Sequence, residues 1–300
     1  MEVDCEGCAG CCIDWRPLTD APLDHERRGP HDPIDDTYNL APLTRDEVRD
    51  AVADGWADAL VGRLFRAGGD AEPDRRVTVD GTTLAAVDGR PVFAVGLRKV
   101  PKPVGPFGRP PAWLETCVFL DPTTLQCRIH GSDRYPETCR TYPGANLAVG
   151  VETECERVEA AWGGRRLLDD AAPEDARPLF GPAALGSKVF LHPDPDRLAG
   201  TVERLAAAAA TPADRAEFVA VAAASSPGTA SVDGDRYGRA RRRARAADSW
   251  VGRAARAWER MAGSAGERAP ASRLAAHVED DAGAPGTPGW DLPDDGEEGG

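Results

Sequence analysis

Three hundred residues are enough for one or two domains of about 150 residues each. Apolar residues make up 41% but aromatics only 6%, so one modest core and much irregular chain are expected. The 36 basic and 50 acidic residues leave a net charge of −14, which argues against nucleic acid, because phosphate contacts need a basic footprint.

The basic charge is nearly all arginine; the only lysines are Lys99, Lys102 and Lys188. Scarce lysine with abundant Ala, Asp and Arg resembles the halophilic composition of salt-loving archaea, where an acidic surface serves solubility. No run approaches the ~20 apolar residues of a membrane span, and the acidic start reads as no export leader. The expectation is a cytoplasmic protein with no membrane contact. A reducing cytosol favours metal or redox roles for cysteine over structural disulfides.

In chain order, residues 1–15 hold the stretch MEVDCEGCAGCC, with Cys5, Cys8, Cys11 and Cys12. Residues 16–42 read as loop. Thr44 and Glu47 have capping-box spacing, and Val48, Val52, Trp56, Leu60 and Leu64 recur every fourth residue. That pattern predicts one amphipathic helix ending at Gly68 and Gly69. Asp80-Gly81 and Asp88-Gly89 lie between β-branched or apolar runs and predict a small meander of hairpins. The proline-rich 101–111 stretch reads as loop. Residues 113–130 read as a hairpin turning at Asp121-Pro122, and a short helix follows Cys155.

Beyond His192, residues 197–210 and 212–224 read as helices, the second with Thr211 as cap and Pro212 at its first position. Residues 235–262 read as one long Arg/Ala helix, and the Ala, Gly, Pro and acid beyond 263 as a disordered acidic tail. The resulting division is a cysteine-cluster metal-binding domain at 1–192, a helical extension at 193–262 and the tail at 263–300. The fold class expected is α+β: a small cysteine-rich, metal-stapled domain carrying hairpins and helices. The basic run RRRAR at 241–245 reads as a solvated helix face.

All eight cysteines fall in the first 155 residues, the others being Cys117, Cys127, Cys139 and Cys155. A C-x2-C step lets two thiolates reach one metal ion, and Cys5, Cys8 and Cys11 repeat it, as in ferredoxin-type runs whose fourth thiolate comes from afar. On a helix Cys5, Cys8 and Cys12 would share a face, so either Cys11 or Cys12 can complete the set. Eight thiols suffice for two four-thiolate sites, or for one site and a redox pair. Four thiolates suit zinc and an iron–sulfur cluster equally, and iron alone is a third option. Arg134 and Arg140 flank Cys139 and are expected to offset the charge of an anionic thiolate centre. His130 follows Cys127 by three and is read as a packed ring rather than a ligand.

CEGCAGCC at 5–12, CVFLDPTTLQCRIH at 117–130 and RYPETCRTYP at 134–143 together resemble the CxxCxxCC, YkgJ-type cysteine-cluster family, whose members are described as zinc- or iron-chelating or Fe–S-cluster-containing. The match covers roughly residues 1–160. It departs from the family pattern where Tyr135 separates Arg134 from Pro136, and in a longer spacing between Cys127 and Cys139. The resemblance implies a metal-binding domain. One branch is similar to flagellin lysine N-methylase, which implies a protein-modifying enzyme as an alternative. A third reading is a structural zinc module whose C-terminal helices bind a protein partner. Whether the chain is an enzyme at all stays open at this point.

Overall fold

The computed structural model describes residues 2–20, 32–174, 176, 184–265 and 272–289. Its elements in chain order are β1 (Glu2–Val3), α1 (Arg45–Asp54), β2 (Leu60–Leu64), β3 (Arg76–Val79), β4 (Thr82–Val87), β5 (Arg90–Leu97), β6 (Lys99–Val104), β7 (Ala112–Cys117), α2 (Glu137–Thr141), α3 (Gly144–Leu147) and α4 (Glu154–Trp162). They continue as β8 (Leu167–Asp169), β9 (Phe190–Leu191), α5 (Thr201–Ala206), α6 (Pro212–Ala224), α7 (Gly234–Ala246), α8 (Trp250–Ala265) and α9 (Ser272–Asp281). The architecture is α+β with antiparallel sheets.

The main sheet runs β2-β5-β4-β3, with β9 also paired to β5. Its meander turns where expected: Asp80-Gly81 and Asp88-Gly89 all have positive φ, between 50° and 76°, the backbone that a two-residue hairpin requires. The Thr44–Glu47 capping box forms too, but α1 stops at Asp54, closed by Gly55 at φ 83°. Leu60 and Leu64 then belong to a strand, not to the expected single helix. A spacing of four fits the period of two as well as that of 3.6, and burial in β2 alternates from Leu60 through Gly62 to Leu64.

The helix α6 is buried on almost every side and crosses the main sheet. At Gly62 a Cβ would fall 2.2 Å from the Phe218 ring, so only glycine lets the helix approach this closely. Phe218 meets Phe93 edge-on at 5.0 Å, and Phe93 packs on Phe190 at 5.5 Å. The helices after residue 193 share this core: Leu198, Val202, Phe218, Val251 and Trp258 are buried with Leu60, Leu64 and Phe93. The expected long helix at 235–262 is divided into α7 and α8. At the break the Ser249 hydroxyl donates to Asp58 Oδ1 at 2.6 Å, and the Gly252 N–H donates to Ser249 Oγ at 3.2 Å. These bonds start a new helix instead of continuing the old one.

Two further expectations give way. Residues 99–104 form β6 despite Pro101 and Pro103, paired with β7 through Lys102↔Leu114 and Val104↔Ala112. Prolines two apart keep both missing N–H groups on one edge, so the other edge can still pair. The expected disordered tail also contains α9, whose Glu279 is fully buried. Positions 266–271 and 290–300 of that tail lie outside the described residues.

Candidate functional site

The N-terminal segment is stitched onto the β6–β7 hairpin as a further strand. Ile13 bridges Thr116, the Asp14 N–H donates to Glu115 C=O at 2.7 Å, and the Cys117 N–H donates to Cys12 C=O at 2.8 Å. Burial explains why so polar a segment docks. Ile13 and Trp15 are fully buried in a second, smaller core with Tyr38, Leu114, Leu120 and Val158. Tyr38, Phe107 and Trp162 meet the Trp15 ring edge-on at 6.1–6.4 Å. Gly10 brings the cysteine loop against α4, where a Cβ would sit 2.6 Å from Val158.

The helix α4 is held by Glu154, a buried carboxylate that sequence reasoning missed. It accepts from the Tyr38 hydroxyl at 2.6 Å and from Trp15 Nε1, while its own N–H donates to the Tyr142 hydroxyl. Thr153 and Glu156 close a capping box one turn around it. This fixes Cys155, at the second position of α4, beside the N-terminal loop. On the other side, Leu120 bridges Cys127 across a tight turn in which Asp121 Oδ1 accepts from the Thr123 N–H at 2.8 Å. The Tyr135 hydroxyl reaches the Cys139 carbonyl at 3.4 Å.

All eight thiols are free. Cys11 and Cys12 form the junction, with their sulfurs 3.8 Å apart. Cys155 feels Cys11, Cys5 and Cys8; Cys12 feels Cys117, Cys127 and Cys139. Cys11 also acts on Cys117, Cys127 and Cys139, as befits its place between the two neighbourhoods. Cys5 and Cys11 are exposed to solvent, and crowding by the surrounding chain, then the Cys11 and Cys8 charges, pushes Cys5 upward. Burial raises Cys8 to about 11 against the Gly10 N–H that points at its sulfur, and raises Cys127 to about 12 with help from Cys117. Cys11 rises through its hydrogen bond with Cys12 and then the same crowding. For Cys12 that same bond acts downward and is outweighed by burial and the three thiols opposite. Left to themselves these groups stay protonated, since a thiol ordinarily titrates near 8.5.

The cations near the sulfurs are not those expected from sequence. Arg134 donates to the Asp54 carboxylate at 2.7 Å on the surface, and Arg140 donates to the Tyr135 carbonyl at 2.8 Å. In their place stand Lys99 and Lys102 near Cys117, and Arg166 near Cys5 and Cys8. Lys102 is satisfied by two carbonyls and Glu279. Lys99 is not: its ammonium is buried without a hydrogen-bond partner among the described residues, 5.7 Å from the Tyr38 ring centre. Burial pushes its pKa down, opposed by Cys12, Cys117, Cys11 and Asp14. A signal was present in the sequence, since two of the chain's three lysines stand three residues apart in what is now β6. His130 is exposed and packs edge-on to Tyr135 at 4.8 Å.

As they stand, no three His, Cys, Asp or Glu side chains among the described residues are placed to hold a metal ion. The Cys11 and Cys12 thiols are 3.8 Å apart, and thiols are soft donors that suit zinc or an iron–sulfur cluster and not magnesium or calcium. The Lys99 ammonium, which faces the Asp14 and Glu115 carboxylates, is also placed to offset negative charge on Cys12 and Cys117.

Fold and site together define an α+β protein with antiparallel sheets and eight free cysteines. The chain belongs to a family of unknown function, DUF7531, which matches residues 1–291. No curated protein and no solved structure matches it. Among the described residues no helix is long and apolar enough to cross a membrane.

Proposed function

We propose that the chain is a metal-binding protein that holds zinc, iron or an iron–sulfur cluster through cysteine thiolates in two sets. Cys5, Cys8, Cys11 and Cys155 form one set; Cys12, Cys117, Cys127 and Cys139 form the other. The observation that carries this reading is the close approach of the Cys11 and Cys12 sulfurs, 3.8 Å apart, with Cys5, Cys8 and Cys155 acting electrostatically with Cys11 and with Cys117, Cys127 and Cys139 acting on Cys12. The position of the Lys99 ammonium beside Cys12 and Cys117 supports it, and so does the resemblance of the three cysteine motifs to the YkgJ-type family. A bound metal would supply the positive charge that lets these thiols ionise together, since coordination deprotonates a thiol outright.

The chain's own residues then have definite duties. Glu154, Trp15 and Tyr38 fix the α4 end that carries Cys155. The β6–β7 hairpin fixes Cys117 against Cys12. Lys99 and Lys102 offset negative charge on one side, and Arg166 on the other.

Anaerobic purification followed by metal analysis beside a visible spectrum tests the proposal. Iron with acid-labile sulfide and a colour bleached by dithionite identifies a cluster. Colourless protein with stoichiometric zinc identifies a closed structural or metal-handling site. Protein that is folded, reduced and free of metal after reconstitution with each would sink the proposal.

A further inference from the structure

We propose that the cleft between α1 and α7 binds a small phosphorylated anion. Arg236, Arg239 and Arg243 of α7 line it, spaced three and four residues apart and hence on one stripe of the helix. Arg49 of α1 faces them, and Val52, Ala223 and Ala240 supply an apolar floor. The cavity is about 280 Å³, at the lower end of small-ligand pockets.

Four arginines border this cleft in a chain whose acids outnumber its bases by 50 to 36. Arg49 is already anchored: it donates to the Ala223 carbonyl at 2.7 Å and to Asp46 at 3.1 Å. Its charge is disfavoured first by burial, then by Arg45 and Arg236. The side chains of Arg236, Arg239 and Arg243 make no hydrogen bond or ion pair with any described residue, although Arg241 of the same helix reaches Glu217 at 3.0 Å. Two acids stand close by, and the Asp233 charge partly offsets Arg236 and Arg239. Asp46 bonds Arg45 and Arg49, and Asp233 accepts the Arg236 backbone N–H as the α7 cap.

Like charges held side by side on a folded surface repel unless something neutralises them. Guanidinium forks match phosphate oxygens bidentately. The floor suits a short apolar or sugar portion of the ligand. A small phosphorylated compound fits better than nucleic acid, because the footprint is one cleft on a chain of net charge −14.

The test is calorimetric titration of the full-length protein with inorganic pyrophosphate at fixed chloride. The expected result is a single site that Arg239→Gln with Arg243→Gln weakens at least tenfold. Arg242→Gln, exposed on the same helix but outside the cleft, should leave affinity within twofold. The substituted arginines are exposed, so the variants should keep the wild-type unfolding midpoint, which is checked in parallel. Absence of binding to the wild-type protein overturns the proposal. So does an equal loss in Arg242→Gln, which would mark diffuse charge attraction.

Discussion

Lys102 and Glu279, 177 residues apart, meet at 2.5 Å with each side chain only 1% exposed. Glu279 also accepts from Arg128 Nε at 2.7 Å and from Trp258 Nε1 at 3.2 Å. Arg128 adjoins Cys127, and Lys102 also binds the carbonyls of Val118 and Leu120. The C-terminal helix therefore clamps the same hairpin that carries Cys117 and Cys127.

Removing that carboxylate leaves two buried cations without it. Glu279→Ala should cost about 3–5 kcal/mol, the scale for breaking a buried ion pair from one side. Asp280→Ala should cost less than about 0.5 kcal/mol, since Asp280 is 60% exposed and lies 3.8 Å from Arg128. Urea unfolding of the two variants measures the difference. Equal, small losses would show that α9 is not clamped through Glu279.

The Cys11–Cys12 junction predicts separable metal losses. Cys12→Ser should release the metal of the Cys117, Cys127 and Cys139 set and leave the other. Cys11→Ser should do the reverse, and the double variant should lose both. Because the thiols titrate high when metal-free, metal uptake must release protons, so affinity should fall steeply as pH is lowered. Metal-to-protein ratios and proton release on titration check this. Identical behaviour of the two single variants would mean one shared site.

Local chemistry was legible wherever one residue type decides the backbone. The Thr44–Glu47 box, the Thr211-Pro212 helix start and both Asp-Gly turns form as read. Periodicity failed where two periods coincide, at Leu60 and Leu64. Composition failed at Pro101 and Pro103, because edge position decides whether a strand tolerates proline. It failed again at Glu279, an acid in an acid-rich tail whose partners are 151 and 177 residues away. Lys99 was overlooked for a similar reason. Arg134 and Arg140 are near Cys139 in sequence, whereas Lys99 comes near Cys12 and Cys117 only through β6–β7 pairing.

Lys99 offers a test whose sign depends on metal. In metal-free protein its buried ammonium lacks a hydrogen bond to any described residue, so Lys99→Met should leave stability unchanged or raise it by up to about 1–3 kcal/mol. In metal-loaded protein the same change removes a charge that offsets the thiolates, and metal should pass to a competing chelator more readily. Thermal unfolding of the metal-free form and chelator competition of the loaded form give the two arms. Destabilisation of the metal-free protein together with unchanged retention would make Lys99 a packing residue only.

Acid sensitivity should concentrate at Asp214, which caps α6 and is only 5% exposed. Burial alone would raise its carboxyl, but the Arg204 and Thr211 hydrogen bonds outweigh that and hold it well below the usual carboxylate range. Arg204 Nη2 donates to it at 2.6 Å and the Thr201 hydroxyl at 2.9 Å. An unfolded aspartate titrates near about 3.9, and the folded group lies lower. The stabilisation is therefore complete above roughly pH 5 and is lost as pH falls through 4 and below. Asp214→Asn should cost about 1–2 kcal/mol at pH 7, the scale of a lost helix cap. Its deficit relative to wild type should shrink steadily below about pH 4, because the aspartate of the unfolded wild-type chain then takes up a proton that the folded carboxylate still refuses. Paired urea midpoints between pH 7 and pH 3 measure that deficit. Asp35 and Glu217 are also held low by their partners, but they titrate alike in both proteins and cancel in the difference. A deficit that stays constant down to pH 3 would show that the Asp214 charge contributes nothing beyond its shape.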